Sequence, residues 1–405
     1  SIDQNTGEVT TTKEKADNTT KTTETSYGYE TAVTDGNGNV TTYTYDKAGN
    51  RTKEDDGTTQ TAYTYNGLDQ LQTATKEKGT TVDEVRQYSY DANGNQTDVK
   101  NTKTGQTESY TYDAENRLSK VSVTDKDGKT AVIQQNRYNG DGQRIQKVEG
   151  SKTTNYYYQD GVVSYTTDGD NSQTSQNLIG TDGNILATQR YGSDHTDYLL
   201  YHKDIQGSTT SLVKEDGSAD ATYQYTDFGE TTINGDNKVE NEVCYTGGIY
   251  DQSTGLYYLN ARYYNPENAR FLIEDTYRGE NDKPDTQHLY VYCANNPINH
   301  VDPSGHYAVA LYTLVKVVAG GVVFYVSYST WKRRRIKTRY AGKRVTFKTK
   351  ISVWLTWRTF NRIMYSKSKS KSNTKNKGES KKSKKERSTN APEWSKYKKQ
   401  KKAFL

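Results

Sequence analysis

The fold of this chain is decided by a stretch that reads Thr42-Tyr43-Thr44-Tyr45-Asp46-Lys47-Ala48-Gly49-Asn50. Its first four residues alternate threonine with tyrosine. Side chains along a β-strand point alternately to opposite faces, so both tyrosines share one face. The next residues are turn formers, because Asp, Gly and Asn accept the backbone conformations that a hairpin turn requires. The stretch therefore predicts a strand that ends in a tight turn.

The same pattern recurs along the first third of the chain. A tyrosine followed by Asp or Asn opens the turn in five places: Tyr45-Asp46, Tyr65-Asn66, Tyr90-Asp91, Tyr112-Asp113 and Tyr138-Asn139. These pairs lie 20, 25, 22 and 26 residues apart. One hairpin cannot bury its own aromatic face, so hairpins of this length are expected to stack in series. We predict an all-β fold in which the tyrosines of consecutive strands form a continuous inner wall.

The composition agrees with that fold class. Of the 405 residues only 31% are apolar, and 36 are tyrosines. A tyrosine ring buries apolar area while its hydroxyl finds a polar partner, which suits a half-buried sheet. Two cysteines, Cys244 and Cys293, match no metal-ligand spacing. They are interpreted either as a disulfide or, preferably, as two buried thiols.

The charge is divided unevenly. Residues 306–405 hold 28 of the 55 Lys and Arg residues and three of the 50 acids, which gives that part a net charge of +25 and leaves −20 for residues 1–305. The chain thus joins an acidic body to a basic tail. It opens with Ser1-Ile2-Asp3-Gln4, without the basic and apolar start of a secretory signal. We interpret it as an internal or C-terminal part of a longer polypeptide.

The region from residue 201 to residue 306 has fewer threonine repeats and carries a resemblance to a known family. Its earlier segments resemble RHS/YD-repeat proteins: Tyr201–Ser208, Tyr223–Gly229 and Tyr245–Gly248. Its later segments resemble the RHS repeat-associated core domain: Gly255–Pro266, Ala269–Leu272, Glu274–Gly279, Tyr290–Pro297 and Asp302–Gly305. The resemblance covers roughly residues 27–306.

The resemblance implies a fold and an activity. In that family the repeats spiral as a sheet into a shell that encloses a C-terminal toxin, the core domain closes one end, and the chain cleaves itself just after the core at an aspartyl-protease-like site. Carried over, the cleavage motif is Asp302-Pro303-Ser304-Gly305-His306, with Asp302 and Asp275 as the acids and Arg270 holding a carboxylate ionised. Without the resemblance, Asp302–Gly305 is a type I turn. No cofactor and no metal is expected.

Three residues depart from the family pattern. His306 stands where leucine usually precedes the cleaved bond, Asn265 replaces an aspartate, and Thr276 rather than proline comes after Asp275. At most, therefore, the chain is predicted to perform one single-turnover self-cleavage near His306, with no multi-turnover activity.

The predicted domain organisation has five parts. Residues 1–200 are YD/RHS repeats, clearest from residue 27, and residues 201–306 are the core. Residues 307–335 are apolar with a basic flank, residues 336–365 mix bases with aromatics, and residues 366–405 form a disordered tail rich in Lys and Ser.

The apolar run at residues 307–329 is long enough to span a bilayer as a helix, and basic residues come directly after it. A β-hairpin turned at Gly320-Gly321 is the alternative, since Val, Tyr and Phe outnumber Leu, and the helix is slightly favoured. The basic residues beyond it predict contact with a membrane or a nucleic acid. Residues 307–405 contain no His, Asp or Cys. They therefore lack the groups for acid–base or metal chemistry, so the tail acts by binding or is the stub of a truncated effector.

The favoured function is the one that the resemblance implies. It is the shell and core of a secreted or surface-displayed bacterial polymorphic toxin that encapsulates and delivers its own C-terminal effector, with an immunity protein as a further partner. The first alternative is an adhesin of the cell wall whose exposed tyrosines bind cell-surface glycans. The second is a membrane-active effector in residues 307–335.

Overall fold

The computed structural model describes residues 9–14, 20–26, 28–35, 37–180, 183–192, 194–235, 240–279, 286–306, 308–310, 317–319 and 322–324. They all belong to the first of two units, Ser1–Thr330. Their regular structure consists of β-strands and short 3-10 turns, and these residues contain no α-helix. The predicted all-β fold is confirmed. No helix long and apolar enough to cross a bilayer occurs among these described residues.

The main sheet has 21 strands. They are β1 Val9–Glu14, β2 Thr20–Ser26, β3 Tyr29–Thr34, β4 Val40–Tyr45, β5 Arg51–Asp55, β6 Thr59–Tyr65, β7 Leu71–Lys78, β8 Thr81–Tyr90, β9 Gln96–Asn101, β10 Thr107–Tyr112, β11 Leu118–Thr124, β12 Thr130–Tyr138, β13 Arg144–Glu149, β14 Lys152–Gln159, β15 Val162–Thr167, β16 Gln173–Ile179, β17 Ile185–Tyr191, β18 Thr196–Lys203, β19 Thr209–Lys214, β20 Ala219–Tyr225 and β21 Thr231–Gly235.

Every strand of this sheet pairs antiparallel with the next strand along the chain, from β1–β2 through β20–β21. The sheet is thus one continuous meander of hairpins, as predicted. It does not end at the predicted boundary between residues 200 and 201, because β18 crosses that point and the meander continues to Gly235. The threonine repeats thin out there while the strand pattern persists, with Tyr201 and Tyr223 still buried.

The tyrosines lie on the buried face of the sheet. In β4, Tyr43 is buried and Thr44 is exposed, and in β6 Tyr63 is buried and Thr64 is exposed. Tyr88 and Tyr110 continue this row in β8 and β10. The predicted alternation and the shared inner face are confirmed.

A tyrosine at or next to the end of six strands links its hairpin to the one before. The Tyr65 hydroxyl donates to the Arg51 carbonyl oxygen at 2.7 Å. The same bond recurs at 2.6 to 2.8 Å in five other places: Tyr45 to Glu30, Tyr112 to Gln96, Tyr138 to Leu118, Tyr158 to Arg144 and Tyr225 to Thr209. We call this series the hydroxyl ladder. It gives each phenol a polar partner at the buried face, so tyrosine can replace aliphatic residues in the core.

Removal of one rung should weaken the fold measurably. Tyr65→Phe keeps the ring but leaves the carbonyl of buried Arg51 without its hydroxyl donor, so the free energy of unfolding should fall by about 1 to 2 kcal/mol. Urea denaturation measures this difference. Tyr191→Phe is the matched control, because Tyr191 is itself exposed and its hydroxyl donates to the side-chain oxygen of Gln189, two residues away, rather than to a backbone carbonyl of the preceding hairpin. Equal losses for the two variants would contradict a stabilising role for the ladder.

The core segment, which consists of the described residues 240–279, 286–306 and 308–310, packs on the tyrosine face. It contains a second sheet of four strands, β22 Ile249–Asp251, β23 Leu256–Tyr258, β24 Tyr263–Asn265 and β25 Arg270–Phe271, and a short pair, β26 His300–Val301 with β27 Val309–Ala310. Short 3-10 turns lie at Tyr245–Gly247 and Cys293–Asn295. Leu256 and Tyr263 pack in one cluster with Tyr63 and Leu118 of the main sheet.

Side chains of the core segment bind the glycine carbonyls of several repeat turns. Asn296 donates to Gly28 O at 2.7 Å, Asn295 to Gly49 O at 2.6 Å, Tyr290 to Gly94 O at 2.8 Å and Tyr258 to Gly142 O at 3.3 Å. The core segment therefore contacts the turn edge of the meander at intervals along its length.

The sheet curves around the core segment. Tyr43 in β4 lies against Phe228, which comes after β20, with ring centroids 5.3 Å apart. The two rings share a buried cluster with Val33 and Ala269. Strands far apart in the order of the sheet are thus brought together on its inner side.

A buried group of charges, the anchor cluster, joins the two sheets. The Arg144 guanidinium of β13 pairs with Asp251 of β22, and neither residue is accessible to solvent. Lys147 Nζ lies 3.2 Å from Asp251 Oδ1 and 2.7 Å from Glu242 Oε1. Burial raises the pKa of Asp251, but Arg144 and Lys147 outweigh it, so this pKa lies below its usual value.

The cysteines are two free, buried thiols, as preferred from their spacing. Burial raises the pKa of both Cys244 and Cys293. They remain neutral and unreactive at neutral pH.

The apolar run after the core is a hairpin where the structure describes it. β28 Val317–Ala319 pairs antiparallel with β29 Val322–Phe324, so the hairpin alternative applies to these residues and the slightly favoured helix does not. Valine is stiff at χ1 and favours strands over helices. The predicted segments at residues 336–365 and 366–405 lie outside the described residues.

Candidate functional site

The predicted cleavage motif forms the loop between β26 and β27. Asp302 comes directly after β26 and is 1% exposed. Its Oδ1 atom accepts a hydrogen bond from Ser304 Oγ at 3.1 Å and from the backbone N of His306 at 3.2 Å. The turn anticipated from Asp302–Gly305 is therefore present, and the carboxylate that organises it is buried.

The turn is pressed against the loop that joins β23 to β24. Asn260 Nδ2 donates to Pro303 O at 2.9 Å, and Ala261 N donates to Ser304 O at 3.2 Å. Gly305 has a φ of 70°, and a Cβ atom there would lie 2.4 Å from Leu259 O. A residue with a side chain would meet both backbone strain and backbone overlap, so glycine is required at this position.

Asp275 reaches the turn from the segment after β25. Its backbone N donates to Leu289 O at 3.0 Å, which fixes the segment, and the side chain is largely buried. Asp275 Oδ1 accepts a hydrogen bond from Tyr277 N at 2.8 Å and lies 3.1 Å from His306 Nδ1. The two predicted acids thus contact the same residue of the cleavage motif.

Arg262 joins the two acids. Its Nη2 atom lies 2.7 Å from Asp275 Oδ2 and 3.8 Å from Asp302 Oδ2, so these two oxygens can be no more than 6.5 Å apart. Its Nε donates to Gly305 O. Burial lowers the pKa of the Arg262 guanidinium to about 10, against the opposing effect of both carboxylates. It therefore remains a cation at neutral pH, held by the turn and by both acids.

Arg270 does not occupy the position expected of it. Its Nη1 donates to Asn50 Oδ1 at 3.1 Å, its Nη2 donates to Asp69 O, and its guanidinium lies 4.7 Å from the centre of the Tyr65 ring. Arg270 holds the core segment to two repeat turns, and among the described residues the guanidinium that pairs with both acids is that of Arg262. Both arginines lie in segments with family resemblance, and nothing in their spacing separates the two roles.

Asn265, one of the three departures from the family pattern, pairs with Arg270 across β24 and β25. Its Oδ1 accepts a hydrogen bond from Glu267 N at 3.0 Å. The contacts of Asn265 are thus local to the turn between β24 and β25. His306, another residue that departs from the family pattern, contacts both acids directly.

The site combines two carboxylates, one guanidinium and a backbone turn. Hydrolysis of a peptide by carboxylates needs one group that takes a proton from water and another that gives a proton to the leaving nitrogen. Asp275 and Asp302 are two carboxylates in contact with His306. The described part of the chain contains no group of three or more His, Cys, Asp or Glu residues that could hold a metal ion.

Comparisons with known proteins agree with the repeats. The family described as RHS Repeat matches residues 28–61 and 84–130. A "tRNA3(Ser)-specific nuclease WapA" of Bacillus spizizenii is 34% identical over 279 residues, which is 67% of this chain and 11% of the relative. A "Double-stranded DNA deaminase toxin A" of Burkholderia cenocepacia is 25% identical over 282 residues, 67% of this chain and 17% of the relative.

Among solved structures, a crystal structure of TcdB2-TccC3-Cdc42 is similar with a TM-score of 0.40 and 17% identity, covering 74% of this chain and 21% of that one. The chain spans about a tenth to a sixth of the length of the two relatives. The tyrosine repeats, the match to the RHS Repeat family and the relatives lead to one conclusion: this chain belongs to the family of RHS/YD-repeat proteins.

Proposed function

We propose that this chain is the sheet and core portion of a secreted or surface-displayed bacterial polymorphic toxin, which encloses a C-terminal effector and releases it by one self-cleavage after His306. The observation that carries the proposal is the buried contact of Asp275, Asp302 and Arg262 with the turn at the end of the core segment. A turn with only a structural role at the surface would not need three buried charged side chains, because their burial costs folding free energy.

The two relatives support a carrier role. They are named for different reactions, cleavage of a tRNA and deamination of DNA, yet similar lengths of this chain match each of them, 279 and 282 residues. A region shared by proteins with different activities is expected to supply a function that they have in common. We assign enclosure and delivery to this region, and we assign the individual activity to the segment C-terminal to the core.

The effector would begin at residue 307, and most of its residues lie outside the described part of the chain. Residues 307–405 contain no His, Asp or Cys and carry 28 Lys and Arg residues. We propose that this part acts by binding a membrane or a nucleic acid, or that it is only part of an effector. A partner that neutralises it, an immunity protein, is part of the proposal.

The proposal is tested with the purified full chain. Incubation should yield a fragment of about a quarter of the chain, and its mass and first residue should place the cut before Tyr307. The rate should not depend on protein concentration, because the acids and the turn belong to one molecule. A chain that stays whole over days would contradict self-cleavage and favour the surface adhesin.

A further inference from the structure

His306 touches both acids of the candidate site. Its backbone N donates to Asp302 Oδ1 at 3.2 Å, and its imidazole Nδ1 lies 3.1 Å from Asp275 Oδ1. The side chain is 36% exposed, so the ring exchanges protons with solvent while it contacts a buried carboxylate. A leucine, which the family resemblance leads one to expect at this position, would keep the backbone contact with Asp302 and lose the side-chain contact with Asp275.

We propose that the imidazole of His306 supplies the proton that Asp275 passes to the leaving nitrogen, so that acid switches on release of the C-terminal segment. This inference rests on the proposed self-cleavage. The His306 side chain acts on the reaction only through Asp275, so in that capacity His306 is a positioning residue. Its backbone carbonyl group belongs to the bond that is cleaved.

The surroundings of the two acids favour such a role. Ion pairing with Arg262 and acceptance of backbone N–H bonds are interactions of ionised carboxylates, and both acids take part in them. A carboxylate held in this form needs a neighbour to bring it a proton. Imidazole is the side chain whose charge ordinarily changes between about pH 5 and 8.

The two acids that His306 contacts, and the titratable groups that interact with them, come from four parts of the core segment. They are Asp275 after β25, Asp302 in the turn itself, Arg262 between β23 and β24, and Cys293, whose pKa is raised by burial and by the charge of Asp302. The thiol stays neutral and Arg262 stays charged across this pH range.

The step balances as a hydrolysis. Water adds its oxygen to the carbonyl carbon of His306 and gives a proton to the Asp302 carboxylate. The Nδ1 proton of the His306 imidazolium passes to the Asp275 carboxylate. The bond between that carbonyl carbon and the nitrogen of Tyr307 breaks, and Asp275 gives this proton to the nitrogen. The products are a carboxyl group on His306 and a free amino group on Tyr307.

The test is a pH profile of fragment formation by the full chain between pH 5 and 8. The rate should fall as the pH rises, by about tenfold between pH 5.5 and 7.5, because the neutral ring has no proton to give. His306→Gln keeps hydrogen-bonding capacity without titration, and His306→Leu carries the usual family residue. In both variants, the ratio of the rate at pH 5.5 to the rate at pH 7.5 should be about tenfold smaller than in the wild type. His202→Gln, at an exposed histidine of β18, is the matched control and should retain the wild-type profile.

The outcomes separate the two proposals. A wild-type chain that forms no fragment at any pH overturns both. Cleavage with the same pH profile in wild type, His306→Gln and His306→Leu overturns only the role of the imidazole. Thermal unfolding of each variant at both pH values establishes that the fold is intact under each condition, because the folded fraction can itself depend on pH.

Discussion

Asp302→Asn should stop the formation of the C-terminal fragment. The asparagine Oδ1 can still accept hydrogen bonds from Ser304 Oγ and His306 N, so the turn should keep its shape. An amide can neither take a proton from water nor ionise opposite Arg262. Loss of one positioned acid or base costs about 10²- to 10⁴-fold in rate. A gel time course of the purified variant should therefore show one intact band over the period in which the wild type is cleaved.

The chain provides a matched control for this substitution. Asp204 opens a comparable turn in which its Oδ1 accepts bonds from Gln206 N at 2.8 Å and from Ser208 N at 2.9 Å, but Asp204 itself is exposed. Asp204→Asn should cleave at the wild-type rate. If Asp302→Asn also cleaves at that rate, the buried carboxylates are parts of a structural turn and the proposed chemistry is wrong.

Asp251→Asn should produce the largest loss of stability. It removes the counter-charge of Arg144 while leaving both residues fully buried, and breaking such a pair costs about 3 to 5 kcal/mol of unfolding free energy. Chemical denaturation followed by far-UV circular dichroism measures this loss. Glu240→Gln, which removes the exposed partner of Lys152, should change stability by less than about 1 kcal/mol.

The pH dependence of the wild type gives the same interaction a second readout. Because the pKa of folded Asp251 is lowered, its contribution is fully present above the unfolded value of about 3.9 and is lost as the pH falls. Asp251→Asn should lose part of this acid sensitivity. An Asp251→Asn variant as stable as wild type would mean that Arg144 finds another partner, and that the anchor cluster does not hold the two sheets together.

The sheet could be read from the sequence because its signal is local. The alternation around Tyr43 and the turn formers around Gly49 determine a hairpin within about ten residues, and the repeat carries that hairpin forward. The hydroxyl ladder could not be read, since Tyr65 must meet a carbonyl whose position depends on strand register. The pairing of β28 with β29 was equally ambiguous, because a short apolar run is compatible with a helix or a strand.

The candidate site was only partly readable. Asp275 and Asp302 were identified through family resemblance and lie together in the structure. Arg262 was missed, and Arg270 was predicted to be the arginine beside the acids, because both are arginines in adjacent segments and their spacing does not separate them. The contact of His306 with Asp275 is likewise a product of tertiary packing.

The hydroxyl ladder and the glycine contacts of the core segment together restrict how such a protein can evolve. Each rung depends only on the preceding unit, so duplication of a whole unit preserves every rung. A unit inserted between Gly49 and Gly142, however, would displace later turns from Asn295, Tyr290 or Tyr258. Units added ahead of Gly28 would disturb none of these contacts. Gene duplication can therefore lengthen the molecule upstream, while the count of units around the closing end stays constant.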